Sequence, residues 1–192
     1  MLMRKWNAMI SAAILILFLV HAIAGIFELA GLVPGGSTIL TACTYIMVVL
    51  LVMHVAIGIK LTADTFKAQK AAPGGTPANR YLRENSLFWT RRISGMVLMV
   101  MLVFHAVIMS GESGAAYRLN LFEGPQLAAS VLLILALAVH ILSNIRPLYI
   151  AFGIRRGRIY LKDVMFVLAV VLAAACAAFI IYYLRWNVNW RP

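Results

Sequence analysis

Residues 96–109 read MVLMVMLVFHAVIM, thirteen apolar side chains around a single histidine, His105. A bilayer core requires about 20 consecutive apolar residues per helix, and this stretch lies within such a run. The chain has 192 residues, 64% of them hydrophobic, and a mean hydropathy of +0.94. A soluble domain is closer to half apolar. The composition therefore predicts an integral membrane protein with little soluble mass.

Five stretches are long and apolar enough to cross the membrane, and none carries Lys or Arg away from its ends. They are residues 8–29, 39–59, 89–110, 126–145 and 164–184. The predicted fold class is all-α, a bundle of five transmembrane helices forming one domain over residues 1–192. The first stretch also contains Ala22-Ile23-Ala24, which resembles a signal-peptidase site, but it continues to Leu29 and is interpreted as a retained helix.

The net charge of +11 is distributed unevenly across the predicted bundle. Fourteen of the 17 Lys and Arg residues fall on one side, in the N-terminal segment and in the connections after helices 2 and 4. Only Arg118, Arg185 and Arg191 fall on the other side. The positive-inside rule then places the N-terminus in the cytoplasm and the C-terminus outside. This topology explains the basic character without nucleic acid, although a basic face could also contact anionic lipid or an acidic partner.

The first four predicted helices each carry one of the four histidines, and alternate helices place them at two depths. His21 and His105 lie toward the outer ends of helices 1 and 3. His54 and His140 lie toward the cytoplasmic ends of helices 2 and 4. At 1.5 Å per residue, the two levels differ by roughly 15 Å.

Two histidines at one depth on facing helices are what a bis-imidazole haem requires. Two stacked haems, enclosed by four helices, would use all four histidines. We therefore predict that His21 with His105 ligates an outer haem iron, and His54 with His140 an inner one. Zinc is a weaker alternative because it needs about four ligands at one depth. A single intramembrane histidine can also be a structural hydrogen-bonding group or part of a proton path.

Small residues recur three helical turns before each histidine. Ten or eleven residues return a helix to the same face, so a helix that passes both haems should carry small side chains at that spacing. Ile10 is an exception, but most residues there are small. We predict that five of them border the haems: Ser11, Thr44, Ser94, Gly95 and Ser130. Small residues also mediate ordinary helix packing in membranes.

The chain resembles the cytochrome b subunit of succinate:quinone oxidoreductases, in its five-helix, two-haem form. This family includes succinate dehydrogenase and quinol:fumarate reductase. The resemblance covers nearly the whole chain and rests on the helix count and on one histidine in each of the first four helices. It also rests on Arg91-Arg92-Ile93-Ser94-Gly95, which leads to His105 and is similar to the family's Arg-x-Ser/Thr-Gly stretch. It implies that the outer pair holds the distal haem and the inner pair the proximal haem.

The resemblance also implies cofactors and partners. The chain would hold two haem b groups and exchange electrons with a quinone, menaquinone or another. On the cytoplasmic face it would bind an iron–sulfur subunit and an FAD flavoprotein subunit that interconverts succinate and fumarate in either direction. The host membrane would be a bacterial or archaeal cytoplasmic membrane, and the whole complex could dimerise. The chain itself would ligate, space and insulate the cofactors.

The resemblance also suggests roles for some further residues. Five residues at the inner end could contact haem propionates: Lys60, Trp89, Arg91, Arg92 and Arg146. Each is also consistent with an anchor at the membrane boundary. Glu28, two turns beyond His21, could accept a proton when a quinol is oxidised, or it could be a solvated acid at a helix end.

Two alternative functions use the same histidines. One is a two-haem anchor of a different respiratory enzyme, such as a nitrate reductase or a hydrogenase, but such anchors tend to concentrate histidines on fewer helices. The other is a haem-free transporter or proton channel, which would surround its histidines with water and polar groups. The neighbours here are apolar, including Met53, Met101, Phe104 and Leu142.

Overall fold

The structure is a computed structural model that describes residues 2–71, 86–110, 112–113, 118–119, 121–154 and 158–188. Its five long helices are α1 (Leu2–Leu29), α2 (Thr38–Ala71), α3 (Ser86–Met109), α4 (Gly124–Ala151) and α5 (Arg158–Tyr183). Two short antiparallel strands lie between α3 and α4: β1 (Glu112–Ser113) and β2 (Arg118–Leu119). A π-helical segment, Leu184–Val188, continues α5. Within these described residues, the regular structure is therefore helical except for the two short strands.

All five helices are long and apolar enough to cross a membrane. Large apolar side chains face outward, as Ile16, Val52 and Phe166 do with 63%, 64% and 71% of their surface exposed. Such exposure is unfavourable in water, at roughly 25 cal/mol per Å² of apolar surface, but carries no such penalty against lipid chains. The predicted multi-pass membrane protein with five spans is confirmed.

The helices form two hairpins joined by α5. Helix α1 packs against α2, α3 packs against α4, and α5 contacts both α1 and α4. We call the end of the bundle that carries the start of α1 the N-terminal end, and the end that carries β1 and β2 the hairpin end. These names define the levels at which the site residues lie.

Several helices extend further toward the N-terminal end than the sequence indicates. Helix α2 continues to Ala71 instead of ending at residue 59, and α4 continues to Ala151 instead of residue 145. Hydropathy falls where the chain leaves the apolar layer, but the backbone remains helical beyond that point. Five of the basic residues used to predict the topology, at positions 80, 83, 155, 156 and 191, lie outside the described residues.

Pro147 lies inside α4, whereas the sequence-based bounds end that helix two residues earlier. Proline has no N–H, so it cannot donate the helical hydrogen bond to the carbonyl of Ser143, four residues before it. Arg91 of α3 supplies the missing donor, with its Nε 2.9 Å from the Ser143 oxygen. The interhelical bond satisfies a carbonyl that the proline leaves free, and this allows α4 to continue.

We expect Arg91 and Pro147 to be energetically coupled. Arg91→Ala should lower the free energy of unfolding by roughly 1–3 kcal/mol, because it leaves a half-buried carbonyl without a donor. In a Pro147→Ala background the restored N–H can serve that carbonyl, so the same substitution should cost less than half as much. Denaturant unfolding in detergent micelles of the four proteins of this double-mutant cycle measures the difference. Equal losses in both backgrounds would contradict the coupling.

The hairpin end is closed by α5 and its π-helical extension. The main-chain N–H of Leu119 donates to Tyr182 Oη at 2.6 Å, and Asn187 Nδ2 donates to the Phe122 carbonyl at 2.7 Å. The Phe122 and Phe179 rings stack with centroids 6.1 Å apart. Most of these residues belong to the largest buried cluster of the described residues, so Leu119 and Phe122 are joined to α5 and its extension at this end of the bundle.

Candidate haem centre

The four histidines form two pairs inside the bundle. The ring centroids of His21 and His105 are 6.2 Å apart with an interplanar angle of 81°. Those of His54 and His140 are 6.5 Å apart at 82°. Two imidazoles that bind one metal from opposite faces, each through a bond of roughly 2 Å, have centroids about 6 Å apart. The structure thus brings together the histidines that share a depth in the sequence, at the spacing of two axial ligands.

Three of the imidazoles contact a hydroxyl group on the neighbouring helix of the same hairpin. Each contact joins a histidine Nδ1 to a Ser or Thr oxygen. The contacts are His54 with Ser11 at 3.1 Å, His21 with Thr44 at 3.2 Å, and His140 with Ser94 at 3.2 Å. From the sequence, these residues were predicted to border the haems only because their side chains are small. Their role as imidazole partners was missed, although the recurrence of Ser or Thr ten or eleven residues before each histidine was a signal for it.

The hydroxyl groups determine which imidazole nitrogen carries the proton. Each of the three donates its single proton to a main-chain carbonyl three or four residues earlier in its own helix, over distances of 2.8 to 3.2 Å. A hydroxyl has only one proton, so in this arrangement its oxygen accepts from the Nδ1–H of the tautomer that is protonated on Nδ1. A neutral imidazole protonated on Nδ1 has its lone pair on Nε2, which is then available to a metal.

Because Gly95 has no side chain, there is room beside it for the His140 ring. A Cβ atom at position 95 would lie 3.2 Å from His140 Cε1 and 3.5 Å from His140 Nδ1. The first distance is shorter than an ordinary carbon–carbon contact. Any side chain at this position would therefore press on the imidazole that Ser94 holds from the adjacent position.

His105 has different surroundings. Its Nδ1 is buried and has no hydrogen-bond partner among the described residues. The ring of Phe179, on α5, lies edge-on with its centroid 6.4 Å away. Phe179 was not predicted from the sequence, because an aromatic residue in an apolar helix without histidine carries no distinguishing signal. Helix α5 therefore contributes a wall to the His21–His105 pair.

Residues 83–180, just over half of the chain, match the family described as the succinate dehydrogenase/fumarate reductase transmembrane subunit. The chain belongs to this family. The matched segment includes α3, α4 and most of α5, with His105 and His140, but not α1 and α2. Comparison with curated proteins and with solved structures gave no match.

Membership of the succinate dehydrogenase/fumarate reductase transmembrane subunit family makes the protein a membrane anchor subunit of an oxidoreductase complex. The family associates with the other subunits of that complex, and it is associated with cytochrome b haem and quinone. The predicted family is therefore confirmed, and its two-haem type stays a prediction. It favours this complex over the nitrate reductase and hydrogenase anchors that the histidines alone left open.

The donor set of this anchor subunit suits haem iron better than zinc. No group of three or more His, Cys, Asp or Glu side chains converges within the part of the chain that the structure describes. Cys43 and Cys176 are free thiols. Tetrahedral zinc needs about four ligands from such groups. A haem iron takes its equatorial nitrogens from the porphyrin and needs only two axial ligands from the protein, which is what each histidine pair offers.

Two arginines of the anchor subunit, predicted at the inner end of the site, connect helices. Arg91 bonds the Ser143 carbonyl of α4, as described above. Arg92 Nε lies 3.2 Å from Thr62 Oγ1 of α2, and its guanidinium carbon lies 3.9 Å from the Phe88 ring centroid. Both side chains are thus oriented by protein contacts at the N-terminal end of the bundle, near the His54–His140 pair.

The remaining predicted residues are placed in three ways. Trp89 Nε1 is buried without a hydrogen-bond partner among the described residues, so its N–H is available to a bound group. Lys60 and Arg146 are exposed, as membrane-boundary anchors would be. Glu28 is half-buried near the hairpin end of α1.

Proposed function

We propose that this anchor subunit is a dihaem cytochrome b that transfers electrons between an iron–sulfur subunit and membrane quinone. The observation that carries the proposal is the presence of two histidine pairs at axial-ligand spacing, with three of the four rings held by Nδ1 so that Nε2 is free. Haem b bound between the rings would supply reversible one-electron transfer.

The protein's own residues would position and insulate these cofactors. His21 and His105 would hold one iron, and His54 and His140 the other. Ser11, Thr44 and Ser94 would keep the rings in one orientation, which supports a ligand and raises its basicity. Leu98 and Leu133 belong to a buried apolar cluster of α3 and α4, which would help to exclude water from the site. Apolar packing of this kind suits a porphyrin better than an aqueous path for protons or solutes.

The two ends of the bundle would have different tasks. The basic N-terminal end would face the cytoplasm and bind the iron–sulfur subunit, to which the FAD flavoprotein attaches. Arg92 and Trp89 have donors suited to haem propionates there, while Lys60 and Arg146 would meet lipid headgroups or the partner. At the hairpin end, Glu28 would take the proton released when menaquinol or another quinol is oxidised.

A reduced-minus-oxidised absorption spectrum of the purified complex, with haem quantified per chain, tests the proposal. We expect two b-type haems per chain and co-purification of the flavoprotein and iron–sulfur subunits. The absence of haem from a folded, fully assembled complex would overturn the proposal. The four histidines would then have to serve another purpose, such as a proton path.

A further inference from the structure

The hydroxyl–imidazole contacts form a reciprocal pattern within one helix hairpin. In the α1–α2 hairpin, Ser11 of α1 accepts from His54 of α2, and Thr44 of α2 accepts from His21 of α1. Each helix therefore provides one imidazole and one acceptor, and each imidazole is held by the neighbouring helix.

The α3–α4 hairpin shows half of the same pattern. Ser94 of α3 accepts from His140 of α4. The reciprocal contact would join His105 of α3 to a hydroxyl of α4. His105 Nδ1 is instead buried with no partner among the described residues. A buried imidazole nitrogen without a hydrogen-bond partner is uncommon in folded proteins, and the pattern of the α1–α2 hairpin leads us to expect its partner on α4.

The helix register identifies that partner as Ser130. In two antiparallel helices, residues stay at the same level when one helix is followed forward and the other backward by the same number of residues. In the α1–α2 hairpin, His21 is ten residues after Ser11, and Thr44 is ten residues before His54. From the Ser94–His140 contact, His105 is eleven residues along α3 and Ser130 is ten residues back along α4. The mismatch of one residue corresponds to about 1.5 Å along the axis.

Ser130 also has the chemistry of the other three acceptors. Its hydroxyl donates to the Gln126 carbonyl, four residues earlier, at 2.9 Å. The single proton is therefore committed, and the oxygen can only accept from an imidazole. The side chain is 2% exposed, so water does not reach it readily. By helix register, the buried Ser130 hydroxyl and the buried His105 Nδ1 thus lie at nearly the same level of one helix pair.

We propose that Ser130 accepts a hydrogen bond from His105 Nδ1 and so acts as the fourth positioning residue of the haem centre. This inference rests on the proposed function, because the bond would present His105 Nε2 to the haem iron. A hydrogen-bonded imidazole is a more basic ligand, and a more basic ligand stabilises ferric iron. The bond would therefore lower the reduction potential of the haem held by His21 and His105.

A potentiometric titration of the purified complex tests this role in Ser130→Ala. We expect both haems to remain and one midpoint potential to rise, with the ferrous form favoured roughly tenfold, which is about 59 mV for a one-electron couple. The affected haem should be the one that His21→Ala removes. Ser94→Ala should shift only the other haem. Thr65→Val is the matched control, because Thr65 makes the same hydroxyl-to-carbonyl bond at 2.8 Å without an imidazole partner, and it should shift neither.

The isosteric pair Ser130→Thr and Ser130→Val covers the case in which Ser130→Ala loses the haem. Threonine keeps the hydroxyl and valine has the same shape without it. A potential or a haem content nearer to wild type in the threonine variant supports the proposal, and identical behaviour of the two variants overturns it. Unchanged potentials in Ser130→Ala, with two haems bound, would also overturn it while leaving the proposed function intact. A wild-type complex without haem would instead refute the proposed function.

Discussion

His54→Ala should remove one haem from the protein and leave the other in place, and His140→Ala should remove that same haem. A b-type haem that loses one of two axial imidazoles loses half of its iron–protein bonds and the ring that fixes its position. The His21–His105 pair lies three helical turns away on the neighbouring helices, so its haem should stay. Haem quantified per chain should fall from two to one, and one of two steps should disappear from a redox titration.

Two double variants test the histidine pairing directly. His54→Ala combined with His140→Ala should still leave one haem, because both substitutions affect one site. His54→Ala combined with His21→Ala should leave none. Met53→Ala is the matched control: Met53 precedes His54, its side chain is 46% exposed, and the variant should keep both haems. Loss of the same redox component in His54→Ala and His21→Ala would contradict the pairing.

Gly95→Val should have a comparably large effect through a residue that contributes no ligand. The position already leaves only 3.2 Å between a Cβ atom and His140 Cε1. The two methyl groups of valine would displace the ring, break its bond to Ser94 and turn Nε2 away from the iron position. We expect loss of the haem held by His54 and His140, with the other haem retained. The absorption spectrum and the haem content of the purified complex measure this.

A graded series and a control separate this effect from a general loss of stability. Gly95→Ala should retain more of that haem than Gly95→Val, because the ring need move by only a few tenths of an ångström. Gly124→Val, at the start of α4, adds the same side chain where nothing described lies within 4 Å, and both haems should remain. Two haems with unchanged potentials in Gly95→Val would show that the ring has more room than the structure indicates.

The sequence predicted the architecture because its determinants are local. Hydropathy identifies the spans, and the antiparallel connections convert sequence positions into depths, which suffices to group His21 with His105 and His54 with His140. Helix ends were less accurate, since hydropathy marks the edge of the apolar layer and the helical backbone of α2 and α4 continues beyond it.

The finer features of the site depend on packing between helices, which a single sequence does not specify. The presence of Pro147 indicates that the Ser143 carbonyl lacks its helical donor, but nothing in the sequence identifies Arg91 as the replacement donor. Ser11, Thr44 and Ser94 were identified by size, and only the three-dimensional contacts show that their oxygens accept from imidazoles. Phe179 came from the structure alone.

The hydroxyl–imidazole contacts have a consequence for the order of assembly. Because these contacts lie within a hairpin, the rings of His21, His54 and His140 can be oriented before the two hairpins meet. Each hairpin also carries one histidine of each pair, so neither could supply both axial ligands of a proposed haem alone. The haems would then join two preformed helix hairpins, both of which already contact α5.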